Sequence, residues 1–292
     1  MLITSTNIAA LQVGWHNIYR QAYGDSNPWW SKVCSRITST TRTERIGWMA
    51  RQLKMRKWVG PRILRNLYTH TQDIENDPFE LTVGVDRDDI EDDMLGVYND
   101  RFSDMGRAAA KWPDQLAKTV LQANPTGFDG QALFSATHDL DPAGNQDNDF
   151  ALALSAANYR TVREAMLAFT GEDGEPLGVN PNLLVVPPGL EGEAKDILMA
   201  DKLASGASNV EKGTADYLMI PGLANANTTW YLMDVRYAVK PLIFQERRAP
   251  QFVMKDGPTN DNVFWDKDVV YGVDSRGQVA PGPWWLAAKS TP

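Results

Sequence analysis

Residues 86 to 124 read DRDDIEDDMLGVYNDRFSDMGRAAAKWPDQLAKTVLQAN. Met94, Tyr98, Phe102, Met105, Ala109, Trp112, Leu116 and Val120 step by 4, 4, 3, 4, 3, 4 and 4. At 100° per residue they share an arc of roughly 80°, a narrow apolar stripe. The spacing predicts one long amphipathic helix from Asp92 to Ala123, roughly 48 Å long at 1.5 Å per residue. Asp88 followed by Glu91 has capping-box spacing. Asp89, Glu91, Asp92 and Asp93 put negative charge at the positive end of the helix dipole. Pro113 lacks a backbone donor, and because the stripe keeps its phase across it, a kink is expected rather than a stop. Gly96 and Gly106 weaken a helix interior by up to about 1 kcal/mol each against Ala, and they make sense where another backbone comes close. The rod is long for one globular core.

The segment before it, 44 to 85, is an extended excursion. Between Arg42 and Arg65 stand Arg42, Arg45, Arg51, Lys54, Arg56, Lys57, Arg62 and Arg65, with Glu44 the only acid among them. Between Asp73 and Asp93 stand Asp73, Glu75, Asp77, Glu80, Asp86, Asp88, Asp89, Glu91, Asp92 and Asp93, with Arg87 the only base. Phe79, Leu81, Val83 and Val85 alternate at strand period, so the excursion returns on a strand that feeds the helix. The two limbs can pair within one chain or between identical copies; a charge run can also be just a solvated face. Residues 1 to 43 read as an extended arm with a short amphipathic piece around Ile8 to Tyr23. Trp15, Trp29 and Trp30 have little local structure to bury them. A partner's surface or the chain's own body would each explain them.

Composition sets the class. The chain has 292 residues, 43% hydrophobic and 23% charged, ordinary globular material for one large domain or two intimate ones. No apolar run reaches the roughly 18 residues of a membrane span, and the first residues lack a signal-peptide pattern. The single Cys34 has no internal partner, which fits folding in a reducing compartment. A net charge of −8 gains little from counterion release on nucleic acid.

After the helix, Asp129-Gly130 marks a turn, and His138 to Asp149 reads as a polar loop. From Ser155 the pattern is mixed. A helix capped at Ser155 carries Tyr159, Val162, Met166 and Phe169. Leu183 to Val186 is a buried strand, and Leu190, Ala194, Ile197 and Leu198 mark another helix. Short strands follow at 217–220, 230–233, 241–245, 263–273 and 284–287.

Chemistry is sparse. Nucleotide-binding, zinc-protease and nucleophile-elbow motifs are absent. The three histidines, His16, His70 and His138, stand in separate segments. His138, Asp139, Asp141, Asp147 and Asp149 offer hard ligands at odd spacing, and a metal-dependent hydrolase centred on His138 is the reading they would support. Any surface loop holds such residues, so a structural loop whose His138, Asp139 and Asp141 tolerate Ala is expected instead. Asp88, Asp89, Asp92 and Asp93 could form a carboxylate cluster, but helix capping explains them. No catalytic residue, cofactor or metal site is assigned.

Local motifs then carry a resemblance. They are Thr41-Arg42-Thr43-Glu44-Arg45-Ile46-Gly47-Trp48, Trp58-Val59-Gly60-Pro61-Arg62, Phe79-Glu80-Leu81-Thr82-Val83 and the run from Val85 to Asp93 with Leu95-Gly96-Val97-Tyr98. Pro113-Asp114, Asp129-Gly130-Gln131 and Phe134 follow, then Lys240 to Gln245, Arg248-Ala249-Pro250 and Tyr271 to Gly277. With these the chain resembles the Mu-like phage major head subunit family, the major capsid proteins called gene product T. It departs from the pattern at Asn76-Asp77-Pro78 and at His138-Asp139.

The resemblance implies an α+β fold, the Hong Kong 97-type phage capsid fold. Its parts would be an N-terminal arm (1–43), an E-loop hairpin (44–85), a P domain with its spine helix (86–150) and an A domain (151–239). A return to the P domain (240–279) and a C-terminal strand in either domain (280–292) would follow. The implied function is a structural, non-enzymatic shell subunit. It would self-assemble into pentamers and hexamers around double-stranded DNA, read without sequence specificity, in a virion built in the host cytoplasm. A separate scaffolding protein, a portal and a decoration protein are the expected partners, with no membrane. An encapsulin-like compartment shell is the alternative on the same fold. If the excursion is an E-loop, Arg51, Lys54, Arg56 and Lys57 at its tip would face Asp88, Asp89, Asp92 and Asp93 of another copy, with Trp15, Trp29 and Trp30 as further inter-subunit contacts.

Overall fold

A computed structural model describes residues 5–48, 57–61, 70–91, 96–139, 144–171, 174–202, 206–255, 260, 263, 265 and 267–292. The long helix is there: α4, Gly96–Ala123, runs unbroken through Pro113 and ends where the stripe ends. It is preceded by a short helix, α3 (Arg87–Glu91). The cap of α3 is Asp86, whose Oδ1 accepts the Asp88 amide at 2.7 Å. Asp88 is therefore not the cap. The helix begins one residue after Asp86, so Asp88 falls on its second position, where its amide needs an acceptor.

The stripe serves two cores. Phe102, Met105 and Ala109 pack with Trp15, Tyr19, Val85, Ile90 and Tyr271. Trp112, Ala117, Val120 and Leu121 pack into a larger core around Tyr159, Leu184, Trp230, Phe244 and Trp284. One rod spanning two cores accounts for its length.

The first core lies under a four-stranded sheet ordered β1 (Cys34–Thr38), β11 (Leu242–Lys255), β12 (Asp268–Pro281), β4 (Asp77–Asp86). The β1–β11 pair is parallel; the others are antiparallel. β11 is far longer than the strand read at 241–245, and β12 is displaced from the one read at 263–273: Val263 and Trp265 are helical, and the strand runs on to Pro281. Beyond Glu246 the β11 residues are mostly exposed, and the register slips between Glu246 and Gln251, where Pro250 sits. A bulge admits a proline that a regular ladder would not. The return strand β4, grouped by sequence with the excursion, is part of this sheet.

The second core surrounds a five-stranded sheet ordered β7 (Asp149–Phe150), β13 (Ala287–Ser290), β10 (Trp230–Met233), β8 (Leu183–Val186), β9 (Asp216–Met219). The strand expected at 284–287 is a 3-10 turn over Trp284–Leu286 followed by β13. Helices α5 (Ala156–Leu167) and α6 (Glu191–Leu198) accompany this sheet, and the Ser155 hydroxyl caps α5 by accepting the Asn158 amide at 3.2 Å.

The arm is more ordered than its sequence reading. Helix α1 spans Ser5–Asp25, and α2 spans Trp30–Val33. Gly106 is the close approach anticipated: a Cβ there would collide with the Tyr19 carbonyl of α1. Gly96 is not, since a Cβ there meets nothing within 4 Å.

Candidate assembly surfaces

The excursion forms a two-stranded antiparallel hairpin, β2 (Thr43–Trp48) with β3 (His70–Glu75), apart from both main sheets. Its inner face carries the buried Ile74 and Asn76, and the Asn76 amide nitrogen donates to the carbonyls of Thr41 and Arg42. Across its outer face Arg45 grips Asp73 through two bonds of 2.7 and 2.9 Å, and Arg42 Nε meets Glu75 at 2.6 Å. The Arg45 bond holds the Asp73 carboxyl below its usual range. The first bases of the basic limb thus pair with the first acids of the acidic limb in the same chain, through exposed pairs that fasten the hairpin's foot. Further out, Lys57, Trp58, Val59, Gly60 and Pro61 are all exposed, Trp58 at 70%.

Of the residues expected to join neighbouring copies, Arg51, Lys54, Arg56, Asp92 and Asp93 lie outside the described residues. Lys57 is exposed. Asp88 and Asp89 are engaged at home: Lys267 Nζ donates to Asp88 at 2.9 Å, and the Tyr98 hydroxyl donates to Asp89.

The tryptophans divide. Trp15 is 2% exposed, stacked on Phe102 at 4.8 Å and edge-on to Tyr271 at 5.3 Å. It is therefore a core residue of its own chain and not a contact for a neighbour. The reason is helical spacing: Leu11, Trp15, Ile18 and Tyr19 form one stripe of α1 that seats on α4. Trp29 and Trp30 are half-buried at the end of the arm, Trp30 edge-on to Phe244 at 5.0 Å.

Sequence reasoning missed Asp114. From the middle of α4 its Oδ1 accepts the Trp30 amide at 2.7 Å, so a carboxylate on one helix caps the start of another, α2. Burial pushes this carboxyl up to about 6, against the backbone bonds from Trp30 and Trp29 and the charge of Lys111 that pull it down. No local spacing signals a cap contributed from 84 residues away.

His138 is not a surface residue. It is fully buried, with Nδ1 2.6 Å from Asp129 Oδ2 and Nε2 3.1 Å from Asn148 Oδ1. Asn148 donates in turn to the carbonyls of Leu133, Trp284 and Ala287. With Nδ2 facing those carbonyls, Oδ1 must face the histidine. Both ring nitrogens therefore face acceptors, and neither lone pair is turned toward a metal ion. Asp147 accepts the Asp149 amide, and Asp149 pairs with Lys289 at 3.0 Å. Asp139 is exposed, and Asp141 lies outside the described residues. Among the described residues no cluster of His, Cys, Asp and Glu has the makings of a metal site, and no helix is long and apolar enough to cross a membrane.

The hairpin lies against the body, with Ile74 in the larger core and His70 beside Phe128, and one rod joins the two cores. A family model described as the Mu-like prophage major head subunit gpT matches residues 8–153, 148–223 and 220–292. The chain belongs to that family. It is 29% identical to the major capsid protein of Escherichia phage Mu, over 98% of this chain and 74% of that one. The structure resembles that of the procapsid of bacteriophage JBD30, at 28% identity and a TM-score of 0.64, over 99% of this chain and 76% of that one. It also resembles the capsid of the same phage decorated with minor capsid protein trimers, at 27% identity and a TM-score of 0.62, over 70% and 93%. The fold is of the Hong Kong 97 capsid type, and this gpT family member is a structural subunit of a phage head, a virion component and not an enzyme. Neither the compartment-shell reading nor the hydrolase reading is favoured.

Proposed function

We propose that this head subunit closes an icosahedral shell of pentamers and hexamers around double-stranded DNA, with the hairpin built on β2 and β3 as its E-loop. On this reading residues 1–43 are the arm, 86–150 and 240–279 the P-type body, 151–239 the A-type body and 280–292 the C-terminal strand; the pairing of β13 with β10 supports assigning that strand to the A-type body. The observation that carries the reading is the likeness to the JBD30 procapsid over nearly the whole chain. The exposed Trp58 and Val59 support it, since adjacent exposed apolar side chains are what an interaction surface presents. A separate scaffolding protein, a portal and a decoration protein complete the proposal, the last suggested by the decorated JBD30 capsid. DNA would be enclosed without sequence reading, in keeping with the net charge of −8.

Light scattering after size-exclusion chromatography of the expressed chain, with and without co-expressed candidate scaffold, tests this. Capsomers or shells visible by electron microscopy are expected. A monomer that stays monomeric at high concentration under every condition would refute it.

A further inference from the structure

The five-stranded sheet ends on β9. β8 flanks it on one side, and among the described residues no strand stands on the other. The Asp216 and Ile220 amides donate to the carbonyls of Asn182 and Val186 at 2.9 and 3.0 Å. Backbone groups alternate in direction along a strand. The N–H and C=O groups of Tyr217 and Met219 therefore turn to the open side. Such an edge is a template for one more strand.

A cleft of about 900 Å³ opens beside the start of this edge, between α2 and the sheet. Its volume is that of a pocket for a small ligand, with room for a few residues of an extended segment and not for a folded surface. Charge says which segment. The chain carries a net −8, yet Lys32, Lys212 and Lys240 line this cleft against a single acid, Asp216. Lys212 is paired with Asp201. Lys240 Nζ donates to the Ser31 carbonyl, a neutral partner that leaves its charge uncancelled. Lys32 is exposed and meets no carboxylate among the described residues. Met199, 58% exposed, and the half-buried Val235 add an apolar wall.

We infer that the open edge of β9 and this cleft seat an extended acidic segment of a separate partner protein, added to the sheet as a strand. Main-chain bonds to Tyr217 and Met219 would hold it, and its side chains would give the selection: carboxylates toward Lys32 and Lys240, an apolar group against Met199. The chain's own acidic run is a poorer occupant. Asp73 and Glu75 are already paired with Arg45 and Arg42, and Asp77–Asp86 is already a strand of the four-stranded sheet. The site stands on one subunit, so the inference does not rest on closure of a shell.

Fluorescence anisotropy of the full chain with a short labelled peptide of alternating Glu and Leu tests it. Saturable binding is expected, weakened at least fivefold by Lys32→Glu and unchanged by Arg20→Glu, an equal charge reversal at an exposed position of α1. The same peptide with its amides N-methylated should not bind, and neither should a peptide of alternating Lys and Leu. Binding that survives Lys32→Glu or N-methylation undiminished would overturn the inference. No binding at all would overturn it too, and would leave the shell reading standing. With Met199 replaced by the photo-crosslinker benzoylphenylalanine, the peptide should become attached to the chain. A crosslink to a second copy, formed without peptide, would make the cleft an interface between copies and overturn the partner reading.

Discussion

The ring of His138 lies flat on the indole of Trp284, with centroids 4.1 Å apart and planes within 4°. The stack closes the second core from the side, while Asp129 and Asn148 hold the ring's two nitrogens. Replacing His138 with Ala removes the stack and leaves a buried carboxylate short of a partner, a loss of about 3 kcal/mol. Asp139→Ala, at an exposed position, should stay within about 0.5 kcal/mol. Urea unfolding of the two variants side by side checks this. Equal midpoints would return His138 to the tolerant loop that its sequence suggests.

Asp114 should make stability depend on pH. Its folded value of about 6 lies above the ordinary carboxyl value of 3.8 because burial disfavours the charged form. The folded chain therefore binds more protons than the unfolded chain between those values. The contribution of this group is fully present below pH 4 and is lost as pH rises through 6. The loss is at most about 3 kcal/mol at 1.36 kcal/mol per pH unit. Asp114→Asn keeps an acceptor for the Trp30 amide but has nothing to ionise. The difference in unfolding free energy between the parent and this variant should shift against the parent from pH 4 to pH 7; a difference that does not change would show that the carboxyl is not shifted.

Gly106 and Gly96 offer a matched pair on one helix. Gly106→Ala forces α1 away from α4 and should cost about 1–3 kcal/mol, the usual range for overpacking. Gly96→Ala meets open space and should be neutral or stabilising by up to about 1 kcal/mol. Thermal unfolding ranks them, and a neutral Gly106→Ala would show that the arm helix is not seated as described.

Charge reversal addresses the hairpin. Reversing Arg51, Lys54, Arg56 and Lys57 to Glu together should block assembly and leave the monomer folded, as judged by particle yield and circular dichroism. The foot pairs of Arg42 and Arg45 are untouched by this change, so the hairpin itself should persist. A second chain with Lys at positions 88, 89, 92 and 93 should restore less than the sequence alone would suggest, because Asp88 and Asp89 already bond Lys267 and Tyr98. Normal particles from the reversed chain would make the basic limb a solvated face.

Periodicity carried much of this architecture in advance. Helix α4, the caps at Ser155 and the buried strand at Leu183 are local patterns, in which each residue's role depends on neighbours three or four positions away. The outer half of β11 is exposed and irregular around Pro250, so its side chains carry no strand period there; β12 does alternate buried and half-buried residues from Asp274 to Val279, but its small and polar residues hide that period in the sequence. Helix α1 contains the amphipathic piece legible around Ile8 to Tyr23; what the sequence leaves open is where its stripe of Leu11, Trp15, Ile18 and Tyr19 is buried.

What the sequence determined by itself was the long helix, the strand and helices with a clear apolar period, and the family they belong to, because short-range hydrophobic period and local motifs are written residue by residue. What only the tertiary structure decided was who meets whom: Trp15 in its own core, Asp114 capping α2 from α4, and His138 locked between Asp129 and Asn148. Those pairings join residues that are distant in the chain or drawn from separate turns. They arise only when two cores close around one helix and burial makes each unmatched polar group costly.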